Sequence, residues 1–286
     1  MTAPLESESK VWFITGCSTG FGRLLAQRLL DGGHRVAATA RNVEQLAGLK
    51  SAAPDRLLTA PLDVTRGAQI AAAVRSAVDR FGGIDVLVNN AGYGYFATHE
   101  QGDIDEIRRM FETNVFGLIR VTQAVLPRMR ERRRGTIVNL SSVAGRVAFP
   151  RSSFYSATKF AVESMSESLS HEVRPFNIRV IVIEPGSYAT DFGPRSAVRD
   201  AGLTDPASPY AASAKTWSDV AARLLPDRQD PAEVVDGIVA AVTAPRPPFV
   251  RIPFGRDARP LIAERESAGD AEFIENMSRR YYPDSK

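Results

Sequence analysis

The chain has 286 residues, 44% hydrophobic and 24% charged, a composition that supports a sizeable soluble core. Its formal net charge of +3 is too small to argue for nucleic acid. No apolar run approaches the about 18 residues of a membrane helix, the opening MTAPLESESK is unlike a signal peptide, and the single cysteine, Cys17, excludes an intramolecular disulfide. The expected compartment is therefore the cytoplasm. Three histidines, His34, His99 and His171, make no metal-like cluster.

Strand-like and helix-like segments alternate along the chain. Val11–Thr15 is a short apolar run ended by glycines, and Phe21–Leu30 carries helical spacing. Arg35–Ala40 and Leu57–Leu62 read as strands, Ala68–Phe81 as a helix and Asp85–Val88 as a fourth strand. Asp103–Arg130 reads as one long helix, and its basic end, Arg128–Arg134, as a solvated helix terminus. Thr136–Leu140 and Ile178–Ile183 are strands on either side of a helix at Ser153–Val173.

From Tyr188 to Arg228 the pattern weakens, punctuated by Gly193, Pro194, Gly202, Pro206, Pro209 and Pro226. A long irregular segment in a compact domain usually has a functional role, and 188–228 is expected to be a substrate-binding lid. A helix resumes at Pro231 with Asp230 as its cap, and Val234, Ile238 and Val242 share one face. Phe249–Ile252 is expected at a sheet edge, followed by a charged helical extension over 257–286. Strands apolar on both faces and joined through helices predict a doubly wound, Rossmann-type α/β fold of about seven parallel strands flanked by helices on both faces. No repeat or linker divides the chain, so 1–286 is expected to be a single domain.

Gly16-Cys17-Ser18-Thr19-Gly20-Phe21-Gly22 follows the first strand and opens a helix. Glycines let the backbone turn sharply and approach a pyrophosphate, and the helix N-terminus offers free N–H groups to it. The spacing is Gly-x-x-x-Gly-x-Gly, not the commoner Gly-x-Gly-x-x-Gly. It resembles the glycine signature of the short-chain dehydrogenase/reductase family.

Further motifs carry that resemblance from Lys10 to Asp191: Asn89-Asn90-Ala91-Gly92 after the fourth strand, Asp63-Val64 after the third, Asn114, Ser142, and Tyr155-Ser156-Ala157-Thr158-Lys159. In the family, the first of these stabilises the sheet and lines the adenosine side, and the second meets the adenine. The resemblance implies a catalytic tetrad of Asn114, Ser142, Tyr155 and Lys159. Pro185, Gly186 and Thr190 match the loop that holds the nicotinamide carboxamide. The second strand, the YSATKF helix and the tail look like the steroid- and retinol-dehydrogenase-like branch.

Tyr155 and Lys159, at i and i+4, point the same way from one helix. A cation that close favours tyrosinate, poising the phenol to exchange a proton with a carbonyl or alcohol oxygen. Ser142 would hydrogen-bond that oxygen, Lys159 would hold the nicotinamide ribose, and Asn114 would position a water linking Lys159 to solvent.

At the end of the second strand Ala40 replaces the acid that binds a ribose 2′-hydroxyl, and Arg41 follows. A guanidinium there grips a 2′-phosphate, which favours NADP(H) over NAD(H); a solvated loop arginine is the alternative. Tyr93, Tyr95, Phe96, Val143, Phe149, Phe154, Tyr188, Phe192, Tyr210 and Trp217 are candidates to line an apolar substrate site. The implied function is an NADP(H)-dependent carbonyl–alcohol oxidoreductase acting on a bulky apolar small molecule, as a homodimer or homotetramer. The alternative is a catalytically silent NADPH sensor, and an epimerase or dehydratase would need the longer substrate domain of other branches.

Overall fold

The computed structural model describes residues 9–49, 54–190, 192, 197–224, 228–245 and 247–282. In chain order its strands are β1 Val11–Ile14, β2 Arg35–Ala40, β3 Leu57–Pro61, β4 Val86–Asn89, β5 Gly94–Phe96, β6 Gly135–Leu140, β7 Ile178–Pro185, β8 Ala197–Arg199 and β9 Phe249–Phe254. The α-helices are α1 Gly20–Asp31, α2 Gly67–Phe81, α3 Ile104–Phe111, α4 Leu118–Glu131, α5 Ser153–Val173, α6 Ala211–Leu224, α7 Ala232–Thr243, α8 Ala258–Ser267 and α9 Asp270–Tyr281.

Seven strands pair in parallel in the order β3-β2-β1-β4-β6-β7-β9. Successive side chains of a strand face opposite sides, so each strand feeds two cores. Trp12 and Ile14 pack with Leu25 and Leu29 of α1 and with Val234 and Ile238 of α7. Val11 and Phe13 pack with Ile70 and Val74 of α2 and with Val121 and Val125 of α4. The winding reverses between β1 and β4, the place where an open α/β sheet leaves a crevice beyond its carboxyl edge. β9 occupies the sheet edge as expected, and Asp230 caps the following helix through Oδ1, which accepts from the Ala232 N–H at 2.9 Å.

Three expectations change. The long helix over Asp103–Arg130 is α3 and α4 joined by a π turn, Glu112–Gly117. The wider turn adds a residue and redirects the chain. It is locked from both sides. Asn114 accepts from the Tyr93 N–H at 3.0 Å and donates to the Tyr93 carbonyl at 2.7 Å. A Cβ on Gly117 would meet Val64 Cγ2 at 2.6 Å, so only glycine admits that side chain.

The irregular 188–228 segment is not without structure: β8 pairs in parallel with β5, and α6 follows. Three-residue strands are too short to show a period. The terminal extension is two helices, α8 and α9, because the chain is extended at Ala268 and Gly269. The N-terminal 1–8, Gly193, Pro194, Pro226 and the end of the tail, 283–286, lie outside the described residues. Among the described residues no helix is long and apolar enough to cross a membrane.

Candidate active site

A cavity of about 1200 Å³ opens at the carboxyl edge of the sheet. Its walls hold Gly16, Ser18, Thr19, Gly20, Phe21, Arg41, Asp63, Val64, Asn90, Ala91, Gly92, Ser142, Tyr155, Lys159, Pro185, Gly186 and Thr190 together. Of the residues expected at the site, Gly22 and Asn114 stand behind the wall. Gly22 serves packing, since a Cβ there would collide with the Gly16 carbonyl oxygen and stand 2.5 Å from Asn90 Nδ2. Asn114 is buried at the π turn and donates to Thr158 Oγ1 at 3.2 Å.

The glycine turn is stapled to the loop after β4. Thr15 Oγ1 accepts from the N–H groups of Asn90 and Ala91, each at 3.0 Å. Asn90 Nδ2 donates to the carbonyls of Thr15 at 2.8 Å and Gly16 at 3.0 Å. Gly16 and Gly20 have φ of +75° and +57°, a region open to glycine at no steric cost. No side chain caps α1, so its first N–H groups are left for whatever occupies the cavity. Cys17 within the turn is buried, which pushes its thiol up to about 12 and makes it no nucleophile.

Asp63 Oδ1 accepts from the Thr65 N–H at 2.9 Å and from its hydroxyl at 2.7 Å. Burial alone would raise the Asp63 carboxyl, but these bonds and the charges of Arg41 and Arg66 hold it below its usual range.

At the other end α5 turns a stripe of residues inward, including Tyr155, Ser156, Lys159, Val162, Glu163 and Ser166. The small serines bring the helix close to β6, where Asn139 Nδ2 donates to Ser166 Oγ at 2.9 Å. Lys159 Nζ donates to the Leu140 carbonyl at 2.7 Å and lies 5.7 Å from the centre of the Tyr155 ring. Ser142 Oγ donates to the Pro185 carbonyl at 3.4 Å and accepts from the Ala144 N–H at 3.1 Å, on the Tyr155 side of the cavity.

The expected pull of Lys159 on the phenol is not what dominates in the protein by itself. Burial pushes Tyr155 up to about 12, opposed by the nearby Ser142 hydroxyl. Burial likewise draws Lys159 down to about 8, opposed by the charge of Glu163. The ammonium lies over the ring and is spent on a carbonyl, so the phenol oxygen gains little from it.

The loop after β7 is held from the far end of the chain. Asp257 accepts from the Ser187 N–H at 2.7 Å and from Gln229 Nε2 at 2.9 Å, and Gln229 also donates to the Ser187 carbonyl at 3.0 Å. Gly186 is required because a Cβ there would fall on the Asp257 carboxylate. Sequence reasoning assigned Asp257 only to the tail.

Of the candidates to line an apolar substrate site, Tyr93, Tyr188 and Phe192 line the cavity, and Tyr95, Phe96, Val143, Phe149, Phe154, Tyr210 and Trp217 do not. Tyr95 is core, donating to Asp200 at 2.7 Å. Phe96 flanks the Tyr155 ring at 5.6 Å from behind the wall, as Phe192 does at the same distance within the cavity. Trp217 lies under the Arg151 guanidinium and stacks on Tyr281, and Tyr210 donates to Glu100 at 2.6 Å. Glu106, Arg109 and Thr113 on the α3 side of the cavity were missed. Their i, i+3, i+7 spacing on one helix face was the available signal.

A profile of the family described as short chain dehydrogenase matches residues 10–199, and the chain belongs to that family. Oxidoreductase BOA17 of Botryotinia fuckeliana is 36% identical over 251 residues, 87% of this chain and 90% of that protein. The structure of a short-chain dehydrogenase from Streptomyces avermitilis has a TM-score of 0.83 and 38% identity, covering 95% of this chain and 98% of that one. A short chain dehydrogenase from Burkholderia cenocepacia J2315, solved in complex with NADP, has a TM-score of 0.72 and 26% identity over 94% of this chain and 97% of that one. The protein is thus an oxidoreductase of the class that acts on CH–OH and carbonyl groups of small molecules.

Proposed function

We propose that the protein interconverts a ketone or aldehyde and its alcohol with NADP(H), with Tyr155 as the general acid and base. The observation that carries this reading is one cavity lined both by the uncapped start of α1 and by Ser142, Tyr155 and Lys159.

The cavity suits a dinucleotide, because glycines and free N–H groups face it where phosphates would lie. Gly16, Ser18, Thr19, Gly20 and Phe21 would hold the pyrophosphate, with Gly22 keeping the turn closed. Asp63 and Val64 would meet the adenine, Asn90, Ala91 and Gly92 the adenosine side, and Pro185, Gly186 and Thr190 the carboxamide. Arg41 follows Ala40 at the end of β2 and lines the cavity, which supports NADP(H), as does the NADP bound to the Burkholderia cenocepacia protein.

The bound cofactor supplies or accepts the hydride. Tyr155 gives its proton to the carbonyl oxygen in reduction and takes one from the alcohol in oxidation. Ser142, which lines the cavity with Tyr155, hydrogen-bonds the same substrate oxygen and stabilises charge developing there. Lys159 holds the ribose and supports the phenol, and Asn114 keeps the π turn in place for a water behind Lys159. Phe192 beside Tyr155 supports a bulky apolar substrate. A cytoplasmic homodimer or homotetramer completes the reading; exposed Phe160 on α5 supplies apolar surface for the contact.

The test is loss of NADPH absorbance across a panel of apolar ketones and aldehydes. Tyr155→Phe should lower kcat about 10³-fold while NADPH affinity stays within about threefold. Undiminished turnover in that variant overturns the assignment. Tight NADPH binding by the wild type with no turnover on any carbonyl supports the sensor instead.

A further inference from the structure

The chain buries charged side chains that the proposed chemistry leaves without a task. Glu163, 5% exposed, lies one helical turn beyond Lys159 on α5, and Glu184, 1% exposed, precedes Pro185 on β7. Each meets an arginine that also reaches an exposed carboxylate. Arg251 of β9 lies 2.9 Å from Glu163 and 2.6 Å from Glu167; Arg146, just past Ser142, lies 3.0 Å from Glu184 and 2.6 Å from Glu266 of α8. Arg251 is also 3.9 Å from Glu184, so the two buried acids are neighbours.

The pairing is incomplete. Glu163 Oε1, Glu184 Oε2 and Ser141 Oγ are buried with no hydrogen-bond partner among the described residues. Gly145 gathers these groups against the lysine's helical turn: a Cβ on it would stand 2.5 Å from Ser141 Oγ and 3.1 Å from both Glu163 Cγ and the Lys159 carbonyl. Lys159 is 8% exposed, its Nζ has a neutral partner in the Leu140 carbonyl, and Glu163 is the acid whose charge favours its ammonium form.

We propose that Glu163 is a positioning residue whose carboxylate, clamped by Arg251, keeps Lys159 charged over the pH range in which the enzyme works. The inference rests on the reading of Lys159 as the support of Tyr155. The groups facing Glu163 are Lys159 and Glu167 on its own helix, Arg251 from β9, Glu184 from β7, and Ser141 and Arg146 from the β6–α5 connection. Glu266 lies beyond Arg146, and His171 beyond Glu167. Burial and the neighbouring Glu163 push the Glu184 carboxyl up, opposed by the charges of Arg146 and Arg251.

Glu163→Gln removes the charge at nearly constant shape. Lys159 should then lose its proton about one unit lower, and the fall of kcat for carbonyl reduction at rising pH should move down with it. At about pH 6, where Lys159 is charged in either protein, kcat should stay within about twofold. Lysine side-chain NMR on the full chain reads the same group without turnover: there are five lysines, and Lys159→Arg assigns the signal.

Glu163→Asp should restore the midpoint. The double variant Glu163→Gln with Arg251→Met, which leaves no unpaired guanidinium to unfold the protein, should lower it again. An unmoved Lys159 midpoint in the single and double variants overturns the proposal, as does a wild-type midpoint below about pH 7. A lysine midpoint that moves while the kcat profile stays put supports the charge coupling and overturns the role of Lys159 in catalysis.

Discussion

At the glycine-turn end of the cleft the contacts join just the loops after β1 and β4, whereas at the Tyr155 end the walls and the groups that hold them come from residues scattered between Ser142 and Asp257. The first end needs only β1 and β4 side by side: Thr15, Gly16, Asn90 and Ala91 then close on one another through short side chains and backbone. The second end needs α5 laid on β6, the loop after β7, Gln229 and the start of α8 brought together. The second end therefore depends on more elements being packed at once, and such regions open more easily. Cofactor binding and the organisation of the catalytic end are therefore separable by mutation.

The most damaging change should be at the glycine-turn end. Gly22→Ala puts a methyl group onto the Gly16 carbonyl and Asn90, atoms that cannot move aside. It should weaken NADPH binding by at least about 30-fold and destabilise the protein by about 2 kcal/mol, read by fluorescence titration and thermal melting. Equal binding in that variant would mean that the turn does not carry the phosphates. Arg41→Ala should raise KM for NADPH by about 20-fold and leave KM for NADH unchanged; a parallel rise in both would place Arg41 outside the 2′-phosphate site.

Asp257→Ala tests the assembled end. Losing the anchor of Ser187 and Gln229 should lower kcat by about 10-fold while NADPH affinity changes by less than about threefold. A larger loss of NADPH binding than of kcat would erase the distinction between the two ends. The smallest effect belongs to Glu184, whose folded value of about 7 stands above the ordinary glutamate value of about 4.3. Its stabilising contribution is complete below about pH 4.3 and is lost as pH rises through about 7. Glu184→Gln should therefore shrink the difference in melting temperature between about pH 5 and about pH 8 by a few degrees.

The strands were readable because residues such as Val86, Leu87 and Val88 are apolar on both faces and bounded by turns. The catalytic stripe of α5 was readable because helical geometry alone aligns Tyr155 with Lys159. The π turn was not, since Asn114 and Gly117 earn their places only against Tyr93 and Val64, far off in the chain. The aromatic lining was divided for the same reason. Tyr93 and Tyr95 are two positions apart, yet one lines the cavity and the other hydrogen-bonds Asp200 inside the core.

By itself the sequence determined the layered sheet, the glycine turn and the pairing of Tyr155 with Lys159, because these follow from short-range periodicity and backbone sterics. Only the tertiary structure decided the electrostatic state of that pair and the loop that faces it. Burial, which no local pattern encodes, moves the phenol up and the ammonium down, and packing sets Glu163 beside Arg251 and Asp257 beside Ser187, far from each along the chain.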